Sequence, residues 1–166
     1  MSRIDTDHVT IVSRIVARLR SELALPDHRC YETLVPLVDP PIPKGGPFFV
    51  TVSPGGGRFD DAMFVGGGEN QVSEQASVTV CAYAKIALDP GDRATQIMTE
   101  ETRGMLRLKQ RILKALSGHD LTDASGDTLL RSLLQPLQDW EPQYNFESKI
   151  ARIGVGFATD FDWDLS

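Results

Sequence analysis

Gln75 to Leu88 reads QASVTVCAYAKIAL, and the alternation within it decides the fold class. Ala76, Val78, Val80, Ala82, Ala84, Ile86 and Leu88 share one parity, and Ser77, Thr79, Cys81, Tyr83 and Lys85 share the other. Successive side chains of a strand point to opposite faces, so this run has one apolar and one mixed face. Asp89-Pro90-Gly91 stops it, because Pro fixes φ and Gly accepts φ > 0. The stretch reads as the spine of a half-covered sheet whose mixed face is an outer or interface surface.

Working outward, a helix-patterned segment follows from about Arg93 to Ser117. Ile97, Glu101, Met105, Leu108, Ile112 and Leu116 fall near one face, and Gly118 sits where a helix ends in the left-handed conformation. Arg103, Arg107, Arg111 and Lys114 recur at spacings of four and three and form a basic ridge on its other side. Lys149 to Leu165 is a second long strand. Ala151, Ile153, Val155, Phe157, Thr159, Phe161 and Trp163 alternate with Arg152, Gly154, Gly156, Ala158, Asp160, Asp162 and Asp164. It is the best candidate to share the sheet of the spine strand. At the other end, Asp5 to Leu23 carries the stripe Ile11, Val12, Ile15, Val16, Leu19 and Leu23, an amphipathic helix that Pro26 ends.

The remaining segments are short. Cys30 to Asp39 reads as a strand broken by Pro36, and therefore an edge. Asp39 to Pro47 is a Pro- and Gly-rich semi-rigid connection. Phe48 to Val52 is a strand that Ser53-Pro-Gly-Gly-Gly-Arg58 interrupts, and Ser53 to Asn70 reads as an extended hairpin or a flap with flexible ends. Leu121 to Leu137 is a short helix or an apolar connection leading into Pro136. Asp139 to Gln143 is a turn, and a strand begins near Tyr144. Strands in runs around a helix, without βαβ alternation, give an α+β fold: one domain over 1–166, a mostly antiparallel sheet with helices packed on one face.

Composition bounds the function. The 166 residues suit one domain, and 41% hydrophobic residues suffice for a core. A net charge of −6 argues against holding nucleic acid by phosphate neutralisation, though not against DNA passing by. Cys30 and Cys81 form no CxxC pair, so a disulfide framework and a zinc site are not expected. No run approaches the roughly 20 apolar residues of a membrane span, and the N-terminus lacks a signal-peptide core.

Candidate sites have plainer readings beside them. Gly55-Gly56-Gly57 and Gly66-Gly67-Gly68 suggest a phosphate cradle, yet Arg58-Phe59 and Glu69-Asn70 follow where a P-loop needs Gly-Lys-Ser/Thr. Asp160, Asp162 and Asp164 resemble the start of a calcium loop without its Gly and Glu, so a solvated edge or a patch for a basic neighbour fits better. His8, His28 and His119 are scattered, and no catalytic, cofactor or metal residue is assigned. The basic ridge and the acidic edge are opposite patches on one chain, which suits head-to-tail association.

The succession of amphipathic helix, loop-rich region, ASVTVCAYAKIALDPGDRA, GMLRLKQRILKALSGHDL and ARIGVGFATDFDWDL resembles the phage tail terminators, a branch of the neck and tail-completion proteins. The resemblance implies a ring of six copies that caps the tail tube, stops its polymerisation and offers the head or connector a docking surface. It implies no cofactor and no catalysis. The implied partners are further copies of the chain, the tail tube protein, a head-completion or connector protein and, as a further candidate, a tail sheath. DNA would cross the bore without sequence-specific contact, and the protein would be made in the host cytoplasm and reside in the virion. The expected subunit interface is Arg103, Arg107, Arg111 and Lys114 against Asp160, Asp162 and Asp164. The expected partner-contacting flap is Gly55, Gly56, Gly57, Arg58, Phe59, Gly66, Gly67 and Gly68. The first alternative is another neck ring protein, a head–tail connector or tail-completion protein; alternatives from other classes are a phosphate- or nucleotide-binding module on the Gly runs and an enzyme built on the Asp residues.

Overall fold

A computed structural model describes residues 8–44, 46, 48–59, 71–85, 104–122 and 133–164. In chain order the elements are α1 (His8–Leu23), a 3-10 turn (Asp27–Arg29), β1 (Cys30–Glu32), β2 (Phe48–Phe59), β3 (Gln71–Lys85), α2 (Met105–Leu116), β4 (Gln135–Asp139), β5 (Gln143–Asn145) and β6 (Ile150–Asp164). The strands form one sheet in the order β1-β2-β3-β6-β4, with β5 joined to β6 on the edge that β4 also uses. β1 and β2 are parallel and every other pair is antiparallel. The α+β architecture with a mostly antiparallel sheet is the one expected.

The two long strands are neighbours, as anticipated, and pair without a break from Gln71↔Asp164 to Lys85↔Ile150. The spine strand begins four residues earlier than the alternation suggested; Ile86 to Leu88 lie outside the described residues. Its apolar parity faces the helices. Val50, Ala82 and Ile153 make one cross-strand row, and Val52, Val80 and Val155 the next. All six are buried, together with Ile11, Ile15 and Leu19 of α1 and Leu108, Ile112 and Leu116 of α2. Ala76, Ala82 and Ala84 keep the middle strand thin under the helices. Cys30 belongs to this core, its thiol directed at Val16 O at 3.9 Å.

The helix ends differ from their sequence readings. Pro26 does not itself stop α1. Ala24 adopts φ 52°, and the chain closes with Ala24 N–H to Ser21 O at 3.4 Å and Leu25 N–H to Arg20 O at 3.0 Å. These are the paired bonds of a Schellman motif, with Ala in the position that usually holds Gly. α2 starts at Met105 because Gly104 is extended (φ −65°, ψ 131°), so the helix is not one element running through Gly104 from Arg93. Residues 93–103 lie outside the described ones. Gly118 does adopt the left-handed conformation, φ 72°. Its N–H and the carbonyl of His119 then bracket Leu134, at 2.8 Å each.

Two strands were misjudged. Ser53 to Phe59 does not interrupt β2 but continues it, with a register shift between Pro54 and Gly57. The glycines serve that bulge: a Cβ on Gly55 would lie 2.2 Å from Ser77 Oγ, whose hydroxyl donates to Gly56 O at 2.5 Å. Gln135 to Asp139 is a strand where a helix or connection was expected. The edge placement read from Pro36 holds, since β1 is an outer strand of the sheet although it stops at Glu32, whereas Pro136 misled, since edge strand β4 accommodates it beside its own register shift.

Candidate functional site

The mixed face of the sheet is not an open outer surface. Residues 33–44 cross its lower half as a strap. They leave β1 through Thr33 N–H to Val52 O at 2.9 Å and reach the β5–β6 turn at Asp39. That crossing spans four strand spacings, roughly 19 Å, and six residues cover about 20 Å only when nearly extended. Pro36, Pro40, Pro41 and Pro43 suit the strap to this task, because each fixes φ and offers no N–H to satisfy.

Leu37 and Ile42 of the strap pack on a second, smaller core of Phe49, Cys81, Tyr83 and Ile150, flanked by Tyr31 and Trp140. The aromatic rings run across the strands: Tyr31 stacks on Phe49 (5.9 Å, 5°) and Phe49 on Tyr83 (4.9 Å, 14°). The row continues through Arg152, which pairs with Tyr83 in register, to Gln143. Phe49, Thr51, Ser53, Cys81 and Tyr83 are all buried, so an outer placement does not hold for Tyr83, whereas Ser77 and Thr79 on the same parity are half-buried and Lys85 is exposed.

Polar groups hold the strap at Leu37 and Asp39. The Tyr83 hydroxyl accepts from Leu37 N–H at 2.8 Å and donates to Leu37 O at 3.1 Å. Arg152 Nη1 donates to the same carbonyl at 3.2 Å, while its Nη2 donates to Gln143 Oε1. Asp39, at φ 47°, accepts from Asn145 Nδ2 and from Ser148 Oγ at 2.9 Å. Trp140 lies beneath Arg152, 6.0 Å from the guanidinium, and over Gly154, where a Cβ would meet Trp140 Cε3 at 2.9 Å.

Burial sets the chemistry of this face. It pushes the Tyr83 hydroxyl up to about 12 and raises the Cys81 thiol; on the helix side it pushes Cys30 up to about 11. Both thiols are therefore protonated near neutral pH and poor nucleophiles. Among the described residues no group of three or more His, Cys, Asp or Glu could hold a metal ion, and no helix is long and apolar enough to cross a membrane. A cavity of about 340 Å³ opens where the strap meets β5, lined by Leu37, Val38, Asp39, Tyr83, Gln143, Tyr144, Asn145, Ile150 and Arg152.

The residues singled out from sequence lie elsewhere. Arg107 and Lys114 are exposed on α2 and Arg111 is half-buried beside them. Arg107 donates to Gln110 Oε1 at 3.1 Å, and none of the three meets a carboxylate among the described residues. Lys109, which the ridge did not include, is the α2 cation that pairs with an acid, Asp139. Arg103 lies outside the described residues. Asp160 is half-buried and engaged; Asp162 and Asp164 stand opposite Ser73 and Gln71 in the ladder. Gly55, Gly56, Gly57, Arg58 and Phe59 belong to β2, and Gly66, Gly67 and Gly68 lie outside the described residues. The strap was missed as a site. Its signal was present in four prolines over eight residues, enclosing both Leu37 and Ile42.

No family model matches the chain, and no curated protein matches it. Among solved structures it is similar to a chain of the virion of a native gene transfer agent (GTA) particle. The TM-score is 0.54 at 18% identity, covering 93% of this chain and 98% of that one. At that identity the likeness is one of fold, and it extends over nearly the whole of both chains.

Proposed function

We propose that the protein is a structural subunit of a phage-like virion, and within it a tail terminator: a ring that caps the tail tube, stops its growth and docks the head or connector. The observation that carries this reading is the near end-to-end fold likeness to a chain of the gene transfer agent virion. The sequence resemblance to tail terminators supplies the finer role. Another neck ring, a head–tail connector or tail-completion protein, is the nearest alternative, because these subunits share the task of meeting copies of themselves and adjoining rings.

The α2 ridge suits a contact with an acidic neighbour. Arg107, Arg111 and Lys114 recur at i, i+4 and i+7, lack a carboxylate partner among the described residues, and belong to a chain of net charge −6. Electron microscopy and native mass of the purified protein test the reading. A six-membered ring with a central hole is expected; a monomer under all conditions would overturn it. Removing the protein during particle assembly should give tubes of uncontrolled length that fail to join heads. Tubes of normal length without heads would point to a connector instead. Reversing charge at Arg107 and Arg111 should reduce the ring fraction several-fold without unfolding the subunit.

A further inference from the structure

The strap leaves apolar side chains uncovered at both of its ends. Where it departs from β1, Leu34 and Val35 are 83% and 60% exposed. Where it meets β5, Val38 is 83% exposed and lines the cavity, and Phe146 in the following turn is 79% exposed. Phe146 stands edge-on to Tyr144, 4.9 Å between centroids, so the apolar edge continues past the cavity. One end presents a pair of projecting aliphatic side chains; the other presents a hollow.

We propose that the hollow is a socket for the Leu34–Val35 pair of a second copy of the same chain. The inference rests on the ring-forming function proposed above and names the surface by which copies meet. Size supports it: a cavity of about 150 Å³ takes a benzene ring, so 340 Å³ accommodates two aliphatic side chains. Chemistry supports it as well. The polar groups of the cavity are engaged with their neighbours, Arg152 with Gln143 and Leu37 O, and Asp39 with Asn145 and Ser148. Val38 and Phe146 are the large apolar side chains left uncovered at this edge. Covering Leu34, Val35, Val38 and Phe146 removes roughly 400 to 500 Å² of apolar surface. That is about half the apolar share of a standard contact of roughly 1,600 Å².

Projection and hollow follow one another along the strap, two to four residues and at most about 14 Å apart. In the ring proposed above, the projection of each copy enters one neighbour while its hollow receives another, a heterologous contact that propagates and closes when the rotation permits. The prolines keep the projecting pair on a pre-extended backbone, which lowers the ordering cost of association.

Two double variants test the proposal: Leu34→Asp with Val35→Asp, and Val38→Asp with Phe146→Asp. All four side chains are exposed, and circular dichroism with thermal melting checks that the subunits stay folded. Sedimentation should show each variant self-associating at least ten-fold more weakly than the unaltered chain. An equimolar mixture should form a one-to-one pair that grows no further, because one intact projection meets one intact socket. A mixture that stays monomeric overturns the proposal. So does a variant that still forms rings, and that result leaves the ring-forming function standing. An unaltered chain that never associates overturns both.

Discussion

On one side of the sheet, Ile11, Ile15, Leu19, Ile112 and Leu116 close over Val50, Val80, Ile153 and Phe157. On the other, Leu37 and Ile42 rest on Phe49, Tyr83 and Ile150. The helix side is joined by aliphatic area, which is non-directional and tolerates small adjustments. The strap side has little area to bury, and directional bonds to the Leu37 N–H and carbonyl and to the Asp39 carboxylate help fix it. The first cover is a cooperative part of the fold. The second is expected to act as a fitting that loosens while the sheet and helices persist. Cys30 lies in the helix-side core and Cys81 in the strap-side core, so the chain carries one thiol reporter for each.

The largest effect should come from the helix side. Leu19→Ala, at a fully buried position, should cost about 2–5 kcal/mol in urea unfolding, with the slope of the transition unchanged. A loss under 1 kcal/mol would mean that the helices hold less of the sheet than their burial implies. Tyr83→Phe should come next, at about 1–3 kcal/mol, because it strips the Leu37 peptide of two bonds while retaining the ring.

The same hydroxyl sets a pH dependence. Burial raises Cys30 from 9.0 to about 11 and Tyr83 from 10.0 to about 12. Above the ordinary values the unfolded chain releases protons that the folded chain retains, so stability is full below about pH 9 and falls as pH climbs toward 12. A melting series should show that decline, and Tyr83→Phe should remove its upper part. A flat alkaline profile would contradict the buried placement of both groups.

Asp39→Ala should have the smallest effect on global stability, about 1 kcal/mol or less. Its signature is local: thiol labelling of Cys81 should accelerate while that of Cys30 does not. Equal acceleration of both would show that the strap does not open independently, and the contrast between the two faces would collapse.

The helix side was legible because period-2 and period-3.6 patterns survive wherever apolar area does the work. Val78, Val80 and Val155 declare their face without help from any distant residue. The strap side was not, because Tyr83 and Arg152 are polar-tipped and read as outward-facing until Leu37 is placed over them. β2 was cut short in sequence for a related reason. Pro54 and Gly55 to Gly57 look like a loop, and only the approach of Ser77 explains glycine inside a ladder. The candidate interface on α2 was legible as a ridge, but not its division between the paired Lys109 and the residues that meet no carboxylate among the described residues. The projection and socket could not be read at all, since each exists only through where the strap begins and ends.

The pairing of β3 with β6 has a consequence in time. Lys85 meets Ile150 and Gln71 meets Asp164, so the longest ladder among the described residues joins segments far apart along the chain. Closing that loop costs entropy before any of the ladder's bonds form. Until β6 docks, β3 has a partner on one edge only, and its other edge is a template for any strand at hand. Folding of this subunit is therefore expected to be slow and sensitive to crowding by its own copies, with the two long strands meeting late.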